Sequence, residues 1–298
     1  MSPFIDRERS CFGVAPICRV LGVAERSYYA AKSRPPSHRD LTDAEHLVMI
    51  RRVHSENYKA YGARRIYKQL RREGHQVAKC TVERLMRRNG IKGVIRGKPH
   101  FTTHPDGAAS RPADLVQRQF KARRPDELWV SDITYGKTAQ GFLYVCFIED
   151  VFSRMIVGWQ LSDNLRAEFV TDALEMALWR RSVEAGSLVA HSDRGSQYTS
   201  FAYTDRLHEA GIAPSVGSRG DAFDNAMAES LNGSYKWELV KGRRWKTRSE
   251  LELATVEWIS WYNHTRLHGE IGDVPPAEFE ARWRSKTGEP MLARPKSG

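Results

Sequence analysis

Cysteine is scarce. The chain has 4 in 298 residues, at Cys11, Cys18, Cys80 and Cys146, and no two share the C-x-x-C spacing of a zinc or redox pair. A disulfide framework and a cysteine-ligated metal are therefore excluded as the basis of the fold. No uncharged apolar run approaches the ~18 residues that would span a bilayer, which excludes a transmembrane helix. The N-terminus, with Asp6, Arg7, Glu8 and Arg9, lacks the apolar core of a signal peptide. Internal repeats, low-complexity tracts and leucine heptads are also missing. These absences predict a chain that works in a reducing cytoplasm, where DNA is accessible.

Positive charge is abundant and unevenly placed. The chain is 41% hydrophobic and 28% charged, an ordinary balance for about two domains with sizeable cores. Its net charge is +11. Residues 1–124 hold 27 Lys and Arg against 11 Asp and Glu, whereas residues 125–298 hold 20 against 25. A basic module beside a slightly acidic one suggests a polyanion-binding arm joined to a metal-binding catalytic body.

The apolar periodicity divides the chain in the same place. Residues 12–33 read as two short helices around Leu21-Gly22-Val23, the outline of a helix-turn-helix. Helical spacing continues over 43–90, where Ile66, Tyr67 and Leu70 alternate with Arg64, Arg65 and Lys68. Gly74 interrupts it, and Thr81 opens another helix with Val82, Leu85 and Met86 inward and Arg84, Arg87 and Arg88 outward. Gly90 fits the C-terminal stop. Residues 1–91 are thus expected to be a helical, basic, helix-turn-helix-like region, with Arg64, Arg65, Arg87 and Arg88 as DNA contacts. Residues 92–127 are a basic connector rich in Pro and Gly.

From residue 128 the texture becomes α/β. Segments 128–135, 142–150 and 154–161 read as three strands, antiparallel neighbours rich in Val, Ile and aromatic residues. They are followed by a helix over 166–181, a strand at Leu188–Ser192, a helix over 199–210 and a strand at Ile212–Ser215. Gly217-Ser218-Arg219-Gly220 then leads into a long helix from about 224 to 240, and a last helix covers 250–264. The layout is a mixed sheet flanked by helices. We assign 128–285 to a catalytic core with a C-terminal helix and 286–298 to a tail.

Three acidic residues stand out in that core. Asp132 lies in Trp-Val-Ser-Asp-Ile-Thr-Tyr, Asp193 in His-Ser-Asp-Arg-Gly-Ser-Gln-Tyr, and Glu229 in Asp-Asn-Ala-Met-Ala-Glu-Ser-Leu-Asn, 35 residues separating the last two. Asp132 sits mid-strand on the face of Val130 and Thr134, where a carboxylate needs a partner. Asp193 follows an apolar run and so lies at a strand end, where ligands bind in α/β sheets. Asn225 and Lys236 fall near the azimuth of Glu229 on the long helix, so one helix face carries amide, carboxylate and ammonium. Three carboxylates on separate elements can hold two Mg²⁺ ions over a phosphodiester. Competing assignments are Asp221 or Asp224 in place of Glu229, and Glu149 or Asp150 in place of Asp132. These four read instead as turn or cap residues. His191 is a further candidate base or ligand, read as a residue that positions its loop or touches substrate.

Together these segments resemble bacterial insertion-sequence transposases with the retroviral-integrase type of catalytic core, specifically the second reading-frame product of insertion sequence family three. The resemblance rests on His191-Ser-Asp193-Arg-Gly-Ser-Gln-Tyr198, on Asp224-Asn225-Ala-Met-Ala-Glu229-Ser and on the 35-residue gap. It extends to Tyr262-Asn263-His-Thr-Arg266-Leu-His268, to Pro275-Pro276-Ala-Glu-Phe279 and to Tyr61-Gly62-Ala-Arg64-Arg65-Ile66. It implies a ribonuclease-H-like fold with Asp132, Asp193 and Glu229 as both the catalytic and the metal-binding triad. Lys236 would be the basic residue that follows the Glu and, with Asn225, contacts DNA. The implied cofactor is two Mg²⁺, with Mn²⁺ as a substitute. The implied reaction is cleavage at element ends followed by 3′-OH attack on a second phosphodiester. The implied partners are element ends and target DNA, an upstream-frame product or fusion, and further copies of the chain on DNA, in a bacterial, nucleoid-associated setting. The rival expectation is a non-catalytic DNA-binding accessory that needs the upstream-frame segment for activity.

Overall fold

The computed structural model describes residues 2–95, 114–116, 119–193, 195–217 and 225–288. The chain divides into two compact units, residues 1–51 and 52–298. In the first, α1 (Ser2–Phe12), α2 (Val14–Val20) and α3 (Glu25–Ser33) close around Ile5, Ile17, Cys18 and Tyr28. Gly22, at φ 65°, makes the turn between α2 and α3. The Tyr28 hydroxyl donates to Asp6 Oδ1 at 2.6 Å, so the one phenol in that small core has its partner. The first part of α4 (His38–Glu56) also belongs to this unit.

The second unit begins with the end of α4, α5 (Ala63–Arg72) and α6 (Lys79–Arg88). Ile66, Leu70, Val82, Leu85 and Met86 are buried, as the helical spacing requires. Gly74 turns the chain between the two helices at φ 87°. Most of the Pro/Gly-rich connector, residues 96–113, lies outside the described residues.

The core is a five-stranded sheet of order β3-β2-β1-β4-β5. Its strands are β1 (Leu128–Thr138), β2 (Gly141–Asp150), β3 (Ile156–Ser162), β4 (Val189–Ser192) and β5 (Ala213–Val216). β1, β2 and β3 form an antiparallel meander, and β4 and β5 run parallel to β1. All five lie within about three residues of the segments expected from the sequence. This mixed sheet with flanking helices is the ribonuclease-H-like arrangement.

Alternation along β1 sorts its side chains to the two faces. Trp129 packs with Cys146, Ile148 and Val157 against α7 (Ala167–Arg180) and α8 (Phe201–Glu209). Leu128 and Val130 pack with Met227 and Ala228 of α9 (Ala226–Tyr235) on the opposite face. There Phe147, Tyr235 and Trp258 of α10 (Arg248–His264) stack with ring centroids 5.3–6.0 Å apart. β3 and α7 approach so closely that a Cβ on Gly158 would lie 2.4 Å from the Ala173 carbonyl oxygen.

The long helix expected over 224–240 is shorter in its regular part. α9 ends at Tyr235 and continues as one π-helical turn, Lys236–Val240. A further helix, α11 (Pro276–Thr287), begins on Pro276, whose fixed φ and missing N–H suit the first helical position. No described helix is long and apolar enough to cross a membrane.

Candidate active site

The parallel β1–β4 ladder positions the first two carboxylates. Its register runs from Leu128 opposite Val189 to Ser131 opposite Ser192, where β4 ends. Asp132 and Asp193 are the next residues on the two chains. Neighbouring strands lie ~4.8 Å apart, so both aspartates leave the ladder side by side. β1 continues past this point paired with β2, and among the described residues its other edge is bridged again at Thr138, by Trp245.

Asp132 shares its face with Val130, the face that α9 covers. There Asn232 of α9 donates its amide from Nδ2 to Asp132 Oδ2 at 2.9 Å. The other oxygen, Oδ1, accepts from the Ile133 backbone N–H at 2.8 Å. Asp193 Oδ1 accepts from the Gly195 backbone N–H at 3.0 Å. Glu229, in the first turn of α9, is exposed to solvent.

The electrostatics tie the three together. Burial raises the Asp132 carboxyl to about 8, and the negative charges of Asp193 and Glu229 push the same way. The bonds from Ile133 and Asn232 oppose the rise. Asp193 is raised by burial, against the pull of Gly195 and His191. Glu229 keeps solvent contact but is partly desolvated, and that desolvation and the charge of Asp193 raise it. Lys236 is the nearby basic group. Its ammonium lies 4.5 Å from the Tyr135 ring centroid, and burial lowers its proton affinity while the Asp132 charge raises it.

The donor set suits a hard cation. It consists of carboxylate oxygens, with the buried amide oxygens Asn232 Oδ1 and Asn225 Oδ1 lacking a hydrogen-bond partner. No group of three or more His, Cys, Asp or Glu side chains among the described residues is drawn together closely enough to form a ready-made metal cluster.

The other residues expected at the site fall elsewhere. Asn225 is buried at the start of α9, where its Nδ2 donates to the Ser131 carbonyl at 3.0 Å and so pins the helix to β1. His191 is buried within β4, its Nδ1 2.9 Å from Ser215 Oγ. Glu149 and Asp150 end β2 fully buried rather than lying in a turn, because Tyr262 and Ser153 bond them from inside the core. Asp221 and Asp224 lie outside the described residues.

The arginines of α5 meet acids of the same unit. Arg64 pairs with Asp273 at 3.4 Å and Arg72 with Glu278 at 2.5 Å, while Arg65 lies 4.0 Å from Glu238. Two hydrogen bonds support this seam. The Leu267 N–H donates to Tyr61 Oη at 2.8 Å, and Trp261 Nε1 donates to Asn57 Oδ1 at 3.1 Å. Arg87 and Arg88 are exposed at the end of α6. Sequence reasoning missed Asn232. Its signal was available, since it lies three residues after Glu229 and hence one helical turn along the same face.

Comparison with known proteins agrees with this layout. The integrase core domain family matches residues 122–222 and again 210–276, and the HTH-like domain family matches residues 40–99. A Shigella sonnei transposase for insertion sequence element IS629 is 48% identical over 298 residues, covering 98% of this chain and 100% of that one. A putative transposase for IS986/IS6110 from Mycobacterium tuberculosis is 48% identical, covering 90% of this chain and 98% of its own length. Transposase InsF for insertion sequence IS3A of Escherichia coli is 30% identical, with 93% and 97% covered. The HTLV-2 integrase catalytic core domain in complex with magnesium is similar at 14% identity and a TM-score of 0.41, over 54% of this chain and 99% of that one.

Proposed function

The chain belongs to the insertion-sequence transposases with an integrase core, and on that premise we propose that Asp132, Asp193 and Glu229 form its catalytic triad. The observation that carries this reading is the adjacent exit of Asp132 and Asp193 from one parallel ladder, with the charge of Asp193 raising both Asp132 and Glu229. The reaction is hydrolysis of a phosphodiester at an element end, then attack of the freed 3′-OH on a second phosphodiester.

Asp132, Asp193 and Glu229 would hold Mg²⁺, with Mn²⁺ as a substitute. When bound, the metal supplies activation of the attacking oxygen and stabilisation of the leaving one. The chain's own residues orient and hold. Asn232 fixes the rotamer of Asp132, and the Gly195 N–H fixes that of Asp193. Asn225 keeps the first turn of α9, and with it Glu229, against β1. Lys236 offers its ammonium to a phosphate beside Asp132. No covalent protein–DNA intermediate is required, so the Tyr and Ser residues need not act as nucleophiles. The α5–α6 region binds DNA, with exposed Arg87 and Arg88 as phosphate contacts. Several copies would assemble on the element ends.

Asp193→Asn tests the triad. It removes a ligand charge and little volume, so cleavage of DNA carrying the element's ends should vanish while DNA binding stays close to wild type. Cleavage by this variant at a wild-type rate would refute the assignment.

A further inference from the structure

The stretch that leaves the active site after α9 is strongly basic. Lys236, Lys241, Arg243, Arg244 and Lys246 fall within 11 residues, in the part of the chain where acids outnumber bases. Glu238 is the one acid in that stretch. It is buried, with Arg266 Nη2 at 2.6 Å and Nε at 3.0 Å, and is spent on holding the fold.

Lys241, Arg243, Arg244 and Lys246 are exposed, and none forms a salt bridge among the described residues. Their neighbours differ. Arg248 pairs with Asp163 at 3.1 Å, and the α5 cations Arg64, Lys68 and Arg72 pair with Asp273 and Glu278. Arg248 and these α5 cations thus find carboxylates, whereas Lys241 and Arg243 face aromatic rings. Lys241 Nζ stands 3.5 Å from the Trp237 ring centroid, and the Arg243 guanidinium stands 5.5 Å from Tyr58 and 5.9 Å from Trp245.

The loop is anchored, so these charges are displayed on a fixed support. Trp245 is buried, and its carbonyl accepts from the Ala139 N–H at 3.0 Å, tying the loop to the β1–β2 hairpin. Gly242, at φ 78°, makes the turn. Crowding unpaired like charges on a fixed loop costs stability unless a polyanion meets them. Aromatic rings hold such cations without neutralising them, leaving their charge available to phosphate oxygens. The strip starts at Lys236, beside Asp132, and runs through the loop.

We propose that Lys241, Arg243, Arg244 and Lys246 form a phosphate-tracking surface of the catalytic unit, which holds duplex DNA next to the reacting phosphodiester. The proposal rests on the transposase reading of the site and adds a second DNA-holding surface, separate from α5 and α6.

The test uses the full chain, with Lys241→Gln, Arg243→Gln and Arg244→Gln combined. Binding of a labelled random-sequence DNA duplex is measured against salt concentration. Each lost phosphate contact lowers the log–log salt slope by about 0.9, so three losses lower it by about 2.7 and weaken binding on the order of 10²-fold near 0.1 M salt. The charge-keeping pair Arg243→Lys and Arg244→Lys should retain the wild-type slope, which a merely structural role for the guanidinium groups would not allow. A triple variant with wild-type affinity and slope, beside wild-type protein that cuts DNA, overturns the strip and leaves the triad standing. Wild-type protein that neither binds the duplex nor cuts DNA overturns both.

Discussion

Replacing Asn232 with Ala removes one hydrogen bond at the centre of the proposed site. The amide is 7% exposed and donates to Asp132 Oδ2 at 2.9 Å, while the Ile133 N–H continues to hold Oδ1. A hydrogen bond to a charged group contributes about 1.5–3 kcal/mol. About 1.4 kcal/mol is a factor of ten in an equilibrium constant, so the Mg²⁺ concentration for half-maximal cleavage should rise on the order of 10- to 100-fold. The rate at saturating Mg²⁺ should recover much of its wild-type value, because Asp132 itself remains. Cleavage rates across a Mg²⁺ series, with calorimetric titration of Mn²⁺ into the DNA-free protein, measure the effect directly. A purely structural role would lower the rate at every Mg²⁺ concentration without moving the midpoint. An unchanged midpoint in both measurements would refute the positioning role.

Further expectations concern stability and DNA binding. Burial pushes the Glu149 carboxyl up to about 8 from its ordinary 4.5, against the pull of Arg154 and Tyr262, and its Oε2 has no partner. A folded-state value above the unfolded one gives stability that is full below the unfolded value and lost as pH rises through the folded one. At pH 7 the loss is on the order of 3 kcal/mol. Glu149→Gln should therefore raise Tm most near pH 8, with the advantage fading towards pH 4.5, and a pH-independent difference would contradict this. Gly158→Ala drives a methyl into the Ala173 carbonyl and the Ala177 side chain and should cost about 1–3 kcal/mol in urea unfolding. A neutral result there would mean that β3 and α7 can separate freely. Arg87→Gln with Arg88→Gln should flatten the salt dependence of duplex binding by about 1.8 in log–log slope. Arg64→Gln with Arg65→Gln should instead lower Tm, through loss of the contacts to Asp273 and Glu238. Equal effects of the two pairs on the slope would show that α5 also meets phosphate.

The strands and most helices were legible because their signals are local. Alternating apolar residues mark β1 to β3, and Asp193 at the end of an apolar run already reads as a strand-end residue. The adjacency of Asp132 and Asp193 was not legible, since it depends on the register of a parallel pair whose partners are 61 positions apart in sequence, as at Val130 opposite His191. Periodicity placed Asn225 on the face of Glu229, yet could not show that its amide is spent on the Ser131 carbonyl. The same limit applied to Arg64 and Arg65. Their outward helical spacing is identical whether they face water, phosphate or the distant Asp273 and Glu238. The π-helical turn at Lys236 was hidden too, because Lys-Trp-Glu-Leu-Val continues a helical pattern without a breaker. Glu149 and Asp150 looked like turn residues because charged pairs end strands at surfaces. Here Tyr262 and Ser153 cover them.

The most direct test is Mg²⁺-dependent cleavage and joining of labelled DNA carrying the element's own ends, by the wild-type chain and by Asp193→Asn, each alone and fused to the upstream-frame segment. The triad requires that at least one wild-type form cuts and joins with Mg²⁺, and that Asp193→Asn does neither while still binding the DNA. Joining by Asp193→Asn, or by the wild type without a divalent metal, would contradict it. Tight binding without cleavage by either wild-type form would instead make the protein a regulator that occupies element ends.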